Sequence, residues 1–313
     1  MLPYVLKRVL SAVPVMIIVA VVIFALLRLT PGDPAAILAG NDATGEQLAQ
    51  IRESLGLDEP ILVQLATWCK NIISGDLGVS LLSGVPVTKM IADRVGPTLA
   101  LAVGTISVTI LVAIPMGIVA AGRLGGYLDR IVMALSVLGF SVPIFVTGYV
   151  LIYFFSLKLG WLPVQGYRPP SEGLFPFLQR LVLPVLALSG VYIALVARIT
   201  RSSIIEVLGE DYIRTARAKG ATGRRILLRH ALRNAAVPIV TIIGIGIASL
   251  ITGVVVTESV FNLPGLGRLV VEAVLARDYP VIQGLILLFS FTYILINLVV
   301  DILYTVFDPR IRY

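Results

Sequence analysis

The sequence predicts an all-α, polytopic membrane protein with six transmembrane helices and both termini cytoplasmic, on three observations. First, the 313 residues are 58% hydrophobic and 14% charged, with a mean hydropathy of +0.97. A soluble domain carries about 25% charged residues, and a sphere of this size cannot hide so much apolar side chain. Second, six segments each supply the ~20 apolar residues that a helix needs to cross a hydrocarbon core. Third, lysine and arginine are shared unequally between connections that alternate along the chain. The same composition excludes a soluble globular enzyme and a disordered chain, which needs low hydrophobicity.

The six spans read as Val9–Leu29, Leu99–Ala121, Ile131–Leu157, Leu181–Ala197, Val237–Thr257 and Val281–Asp301. Lys7 and Arg8 precede the first, as in a signal peptide. Its apolar stretch is longer than the roughly 7–15 residues of a signal core, so it reads as a retained anchor. Pro14, Pro115 and Pro143 look like breakers. They do not veto the spans, because neighbouring helices can satisfy the carbonyls a proline frees.

Orientation follows from counting bases. Lys7 and Arg8, then Arg123 and Arg130, then a connection holding Arg198, Arg201, Arg214, Arg217, Lys219, Arg224, Arg225, Arg229 and Arg233, and finally Arg310 and Arg312, all fall on one side. The opposite side has fewer bases, and its long stretch Thr30–Pro97 carries eight carboxylates against four bases. Both termini and the nine-base connection are therefore expected in the cytoplasm. Arg28, at a helix end, can snorkel outward. Basic residues near anionic headgroups contribute ~1 kcal/mol each, which is the topogenic reading of the nine bases. Nucleic acid is not an expected partner, since binding would need exposed aromatics among the bases and only Tyr212 lies there.

No catalytic, cofactor or metal site is expected. Cys69 is the sole cysteine and His230 the sole histidine, so neither an intrachain disulfide nor a His/Cys zinc cluster can form. None of the five lysines lies in a Gly-x4-Gly-Lys-Ser/Thr phosphate loop.

Two connections are long enough to hold function. The external insertion, residues 30–97, opens with the turn-rich Thr30-Pro31-Gly32-Asp33-Pro34. Helix-like stretches Glu46–Leu55 and Pro60–Ile73 follow, divided at Gly56, and then Gly75-Asp76-Leu77-Gly78. It reads equally as a cap on the helices or as a docking surface for a soluble partner. The cytoplasmic connection, residues 198–236, holds helix-compatible pieces Ile204–Lys219 and Arg225–Ala235, separated by Gly220-Ala221-Thr222-Gly223. Glycine at the end of the first piece permits a sharp reversal. Arg225, Arg229 and Arg233 recur every four positions as a basic stripe. A membrane-surface helix explains the stripe, but not why a helix–turn–helix projects from the middle of such a bundle.

The run from Asp211 to Asn234 resembles the coupling loop of ABC importer permeases, and more narrowly of their dipeptide, oligopeptide and nickel branch. Against the pattern Glu-Ala-Ala-x3-Gly-x9-Ile-x-Leu-Pro, Ala216, Gly220 and Leu232 match, whereas Arg214 stands in the glutamate slot and Arg233 in the proline slot. Leu29–Pro34, Leu55–Asp58, Gly75–Gly78, Thr257–Gly267, Arg277–Pro280 and Phe307–Arg310 resemble further landmarks of that branch, in order. The long external insertion is similar to that of a B-type permease in a paired set.

The resemblance implies a permease subunit in the bacterial plasma membrane, forming half of a translocation pathway for di- or oligopeptides. Its implied partners are a homologous second permease subunit, one or two cytoplasmic ABC ATPase subunits and an extracytoplasmic substrate-binding protein, with lipid around it. The implied ATPase-coupling residues are Ala216, Arg217, Lys219, Gly220, Ala221 and Arg224. Glu258, Phe261, Pro264, Gly265 and Gly267 are the implied external gate or docking residues; an interfacial loop anchored by Phe261, Leu263 and Leu266 is the plainer reading. Ser141, Thr147, Ser249, Thr252 and Asn297 lie within spans, where helix–helix hydrogen bonding is the commoner role. The alternative is an ion-coupled secondary transporter of small polar solutes, which would need ionisable residues near the midplane. No span centre carries one, and Asp301 reads as a boundary charge.

Overall fold

The computed structural model describes residues 2–29, 35, 44–54 and 56–307. The Leu29–Pro34 and Phe307–Arg310 landmarks lie largely outside these residues, as do Arg310 and Arg312 and the side chain of Thr252. Among the described residues the protein is helical, apart from one isolated antiparallel bridge between Val79 and Pro86. Four helices are long and apolar enough to cross a membrane, and six spans result if each of two bent helix pairs counts as one.

The helices in chain order are α1 (Leu2–Leu29), α2 (Gly45–Ser54), α3 (Ile61–Ile73), α4 (Val87–Gly122), α5 (Tyr127–Ser141) and α6 (Ile144–Lys158). They continue with α7 (Leu174–Leu208), α8 (Asp211–Ala218), α9 (Gly223–Asn234), α10 (Ala236–Val260), α11 (Leu266–Ala276) and α12 (Tyr279–Phe307). Two compact units result: Met1–Val95 with Arg268–Leu295, and Gly96–Gly267 with Ile296–Tyr313.

In the first unit the Phe24 ring of α1 lies tilted on Trp68 of α3, with centroids 5.7 Å apart. Thr44 and Gln47 start α2 by reciprocal bonds: the Thr44 N–H donates to Gln47 Oε1, and the Gln47 N–H to Thr44 Oγ1. That arrangement is a capping box, satisfying donors the first helical turn leaves open. The Gly75–Gly78 and Arg277–Pro280 landmarks meet here. Asp278 is buried, and its carboxylate accepts from Ser80 Oγ at 2.5 Å and from the Leu81 N–H at 3.1 Å. Gly78 faces Pro280 closely enough that a Cβ would touch its ring at 3.6 Å.

The second unit is a helix bundle whose core joins Leu101 of α4, Leu183, Leu188 and Tyr192 of α7, Leu250 and Val254 of α10, and Phe261 and Leu263 beyond it. Gly117 lets α4 approach α7 so closely that a Cβ there would overlap Thr200 and the Ala197 carbonyl. Small residues at helix crossings serve this end in apolar surroundings.

Helix boundaries depart from the expected spans in physical detail. The third span is not continuous: α5 and α6 meet at a bend of 103°. Pro143 stands at the start of α6 with no N–H to offer the preceding turn, so α5 ends with extended backbone at Val142. Pro14, Pro97, Pro115 and Pro184 by contrast lie inside continuous helices. The second helix starts at Val87 and the fourth covers Leu174–Leu208, well beyond their apolar cores. Helix continues as long as no breaker intervenes, whereas hydropathy marks only the apolar part.

Candidate functional site

The residues between α7 and α10 fold as an elbow. α7 stops at Leu208, and Gly209 and Glu210 interrupt what the sequence suggested was one helix from Ile204 to Lys219. α8 then begins at Asp211, whose carboxylate suits a helix N-terminus. Its end is a complete glycine cap. Gly220 adopts φ +79°, its N–H donates to the Arg217 carbonyl at 2.9 Å, and the Ala221 N–H reaches back to the Ala216 carbonyl at 3.1 Å. These two bonds satisfy carbonyls that a helix end leaves open, and the left-handed backbone they need favours glycine. Thr222 caps α9 by accepting from the Arg225 N–H. The middle of α9, Ile226–Ala231, is wound as a π-helix, and α9 meets α10 at 59°.

One face of the elbow is anchored. Ile213 is fully buried, and Ala231 and Ala235 pack with Ala121 of α4 and Ile204 of α7. The other face is basic: Arg217, Lys219, Arg224, Arg225, Arg229 and Arg233 are all exposed. Between elbow and helices lies a cleft of about 430 Å³, lined by Gly122, Leu208, Arg217, Gly223 and Leu227 among others. Burial and the Glu210 carboxylate raise the Tyr212 hydroxyl above its ordinary range.

Close by, the first turn of α5 is clamped to α7. Arg201 forms a bidentate ion pair with Asp129, Nε to Oδ1 and Nη2 to Oδ2, the latter at 2.8 Å. The Gly125 N–H also donates to Asp129 Oδ2 at 2.9 Å. Asp129 is 3% exposed, so its charge is stable there only because these donors surround it.

The segment after α10 forms a second, buried arrangement. Glu258 is fully buried and accepts from Thr98 Oγ1 at 2.5 Å, while Thr98 Oγ1 accepts from the Leu266 N–H at 2.8 Å. Gly265 lies directly over the Glu258 carboxylate, where a Cβ would overlap it, and a Cβ on Gly267 would overlap the Val255 backbone. Phe261, Leu263 and Leu266 are buried among the helices of the second unit, so they are not an interfacial anchor; Pro264 is exposed. The Phe261 carbonyl accepts from the Gly166 N–H at 3.1 Å, tying the turn to the loop after α6.

The in-span hydroxyls singled out from sequence bond within their own helices: Ser141 to the Val137 carbonyl, Thr147 to Pro143 and Ser249 to Ile245. Sequence reading anticipated a reversal at Gly220 and a turn at Pro264-Gly265, but ran Ile204–Lys219 together as one helix and missed Asp129, Thr98 and Asp278 as anchoring groups. It counted Arg201 only as a topogenic base. A carboxylate isolated between Arg123 and Arg130 was the one signal available for Asp129.

Comparison with known proteins bears on the whole chain. The family described as binding-protein-dependent transport system inner membrane component matches residues 113–313, and the N-terminal membrane component model of the same systems matches residues 1–102. The chain is 52% identical over 310 residues to peptide ABC transporter permease protein y4tP of Sinorhizobium fredii, covering 99% of each. It is 47% identical over 309 residues to a peptide transport system permease protein of Brucella abortus, covering 99% of this chain and 98% of that one. It is 46% identical over 313 residues to glutathione transport system permease protein GsiC of Salmonella typhi, covering all of both. Among solved structures, an inward-facing conformation of the MetNI methionine ABC transporter superposes with a TM-score of 0.59 at 19% identity, over 71% of this chain and 97% of that one; this is a likeness of fold.

Proposed function

Since the chain belongs to the family of binding-protein-dependent transport system inner membrane components, we propose that it is a permease subunit of an ABC importer for di- or oligopeptides, glutathione included. It forms half of the translocation pathway with a homologous second permease, and takes its energy from one or two separate ATPase subunits. An extracytoplasmic binding protein delivers the cargo. The chain sits in the bacterial inner membrane with both termini and residues 198–236 in the cytoplasm and residues 30–97 outside.

The observation that supports this reading best is the elbow. It has an apolar face seated on α4 and α7, a rigid glycine-capped apex, and an exposed basic face. A short stiff element of that kind can fit a groove on a motor subunit and return its movement to the bundle as a rigid-body displacement. Ala216, Arg217, Lys219, Gly220, Ala221 and Arg224 form the contact with the ATPase in this reading. The Glu258–Gly267 turn, with Phe261, Pro264 and Gly265, braces the outer gate rather than offering a docking surface, because most of it is buried.

The test is reconstitution. The chain, expressed with its neighbouring permease, ATPase and binding-protein genes, should give proteoliposomes that take up labelled peptide or glutathione only with ATP and binding protein. A cysteine at Ala221 should crosslink to the ATPase. Uptake by this chain alone, or crosslinks that reach no ATPase, would overturn the proposal.

A further inference from the structure

The first unit holds a helix whose apolar surface exceeds what the fold covers. α3 is 13 residues long, and none of them is fully buried. Its apolar side chains fall in two neighbouring stripes. Leu65, Trp68 and Ile72 make the first and are half-buried, with the Trp68 ring against Phe24 of α1. Leu62, Ala66, Cys69 and Ile73, spaced i, i+4, i+7 and i+11, make the second. It has no cover: Leu62 is 74% exposed and Ile73 87%. Thr67, Lys70 and Asn71 are exposed on the side away from both stripes, where Val63 is the one apolar neighbour.

The depth of the contact with α1 says what covers the second stripe. Phe24 is buried and falls inside the apolar run Arg8–Ala25 of α1, where Val21 and Val22 are exposed. That open surface is the lipid-facing side of a spanning helix. The first charge after the run is Arg28, so Trp68 meets α1 about 6 Å along its axis below headgroup level, at ~1.5 Å per residue. An interfacial helix buries its apolar face about 5–10 Å into the boundary of headgroups and acyl chains. Tryptophan is enriched at that level, and a lysine at the edge of the polar side can snorkel to water. The open stripe runs from the first turn of α3 to its last, which suits a helix lying flat and not one entering end-on.

We propose that α3 is an interfacial helix. Its stripe of Leu62, Ala66, Cys69 and Ile73 is seated among the acyl chains of the outer leaflet, continuous with the lipid-facing surface of α1, while Thr67, Lys70 and Asn71 face headgroups and water. The partner of this part of the external insertion is lipid, not a soluble protein. The choice of leaflet rests on the topology proposed above; the embedding itself needs only that α1 spans the membrane.

The test is spin-label accessibility on the full chain in lipid nanodiscs, together with the subunits that co-purify with it. In a Cys69→Ser background, single labels are attached at Ala66→Cys, Ile73→Cys, Thr67→Cys and Asn71→Cys. Collisions with dissolved oxygen, which concentrates in lipid, are compared with those of a water-soluble nickel chelate. The oxygen-to-nickel collision ratio at Ala66→Cys and Ile73→Cys should exceed that at Thr67→Cys and Asn71→Cys severalfold. Two positions on each side guard against a label that disturbs local packing. Equal ratios on the two sides would put the stripe in water and overturn the proposal. Labels at Ala66→Cys and Ile73→Cys that are immobilised and shielded from both reagents would mean that a protein subunit covers the stripe, which overturns it too. The readout uses neither cargo nor ATP, so its result is independent of whether the chain transports peptide.

Discussion

Replacing Asp129 by asparagine should destabilise the protein more than any neutral surface change, and the structure sets the scale. The substitution leaves Arg201 beside an uncharged amide, removing one of two charged partners from a pair whose side chains are 5% and 21% exposed. Breaking a buried ion pair by deleting one partner costs about 3–5 kcal/mol, because the other charge stays buried. Arg201 has partial solvent access, so the lower figure applies. At roughly 2–4 °C per kcal/mol for a large chain, ~3 kcal/mol lowers the melting temperature by about 6–12 °C. The assay is fluorescence-detected size exclusion of the heated, detergent-solubilised protein. Asp129→Asn and Arg201→Gln should each show the drop, and the double variant should lose much less than the sum of the two. A melting temperature within 1 °C of the parent for Asp129→Asn, or additive losses in the double variant, would refute the pair as a structural clamp.

Gly220→Val forces a β-branched residue into the left-handed cap at φ +79°, at a cost of about 1–2 kcal/mol; folded protein should persist while uptake per ATP hydrolysed in proteoliposomes falls severalfold. Gly265→Ala should push the Glu258 carboxylate off Thr98 and lower stability by about 1–3 kcal/mol, read as a shift in the same melting assay, with Gly96→Ala, where a Cβ meets open space, as a control for adding a methyl without overlap. Fusing a reporter that is active only in the cytoplasm to either terminus should give activity at both ends, and silence at one end would mean an odd number of crossings.

The parts of this molecule that were readable in the chain are those governed by local rules. Gly220 announces a helix end because its own backbone adopts a conformation other residues avoid, and the carbonyls it caps, on Ala216 and Arg217, are only a few residues away. Long apolar runs announce α1, α4, α7 and α12 because the hydrocarbon core demands length. Pro143 was visible as well, but Pro115 looks the same in sequence and sits within a continuous helix; neighbouring packing decides between kink and tolerance. The anchors were invisible because they join distant positions. Arg201 lies 72 residues from Asp129, Glu258 lies 160 from Thr98, and Asp278 lies 198 from Ser80. A single charged or polar residue at a helix end gives no hint of which far segment will satisfy it. The Glu258–Gly267 run was legible as a turn, yet its burial was not, because Phe261, Leu263 and Leu266 suit a lipid boundary and a protein interior equally well.

α7 has a mechanical consequence of its own. Its 35 residues, at ~1.5 Å each, make a rod about 52 Å long, against a hydrocarbon core of about 30 Å. A connecting rod of that length works as a lever. Tilting it by about 5° about its midpoint carries each tip roughly 2 Å, enough to slide one side chain past another. Leu208, at the end that leads into the elbow, and Leu174, at the far extremity, would swing in opposite senses, so a push received at one tip is delivered reversed at the other without any bond along the rod having to break.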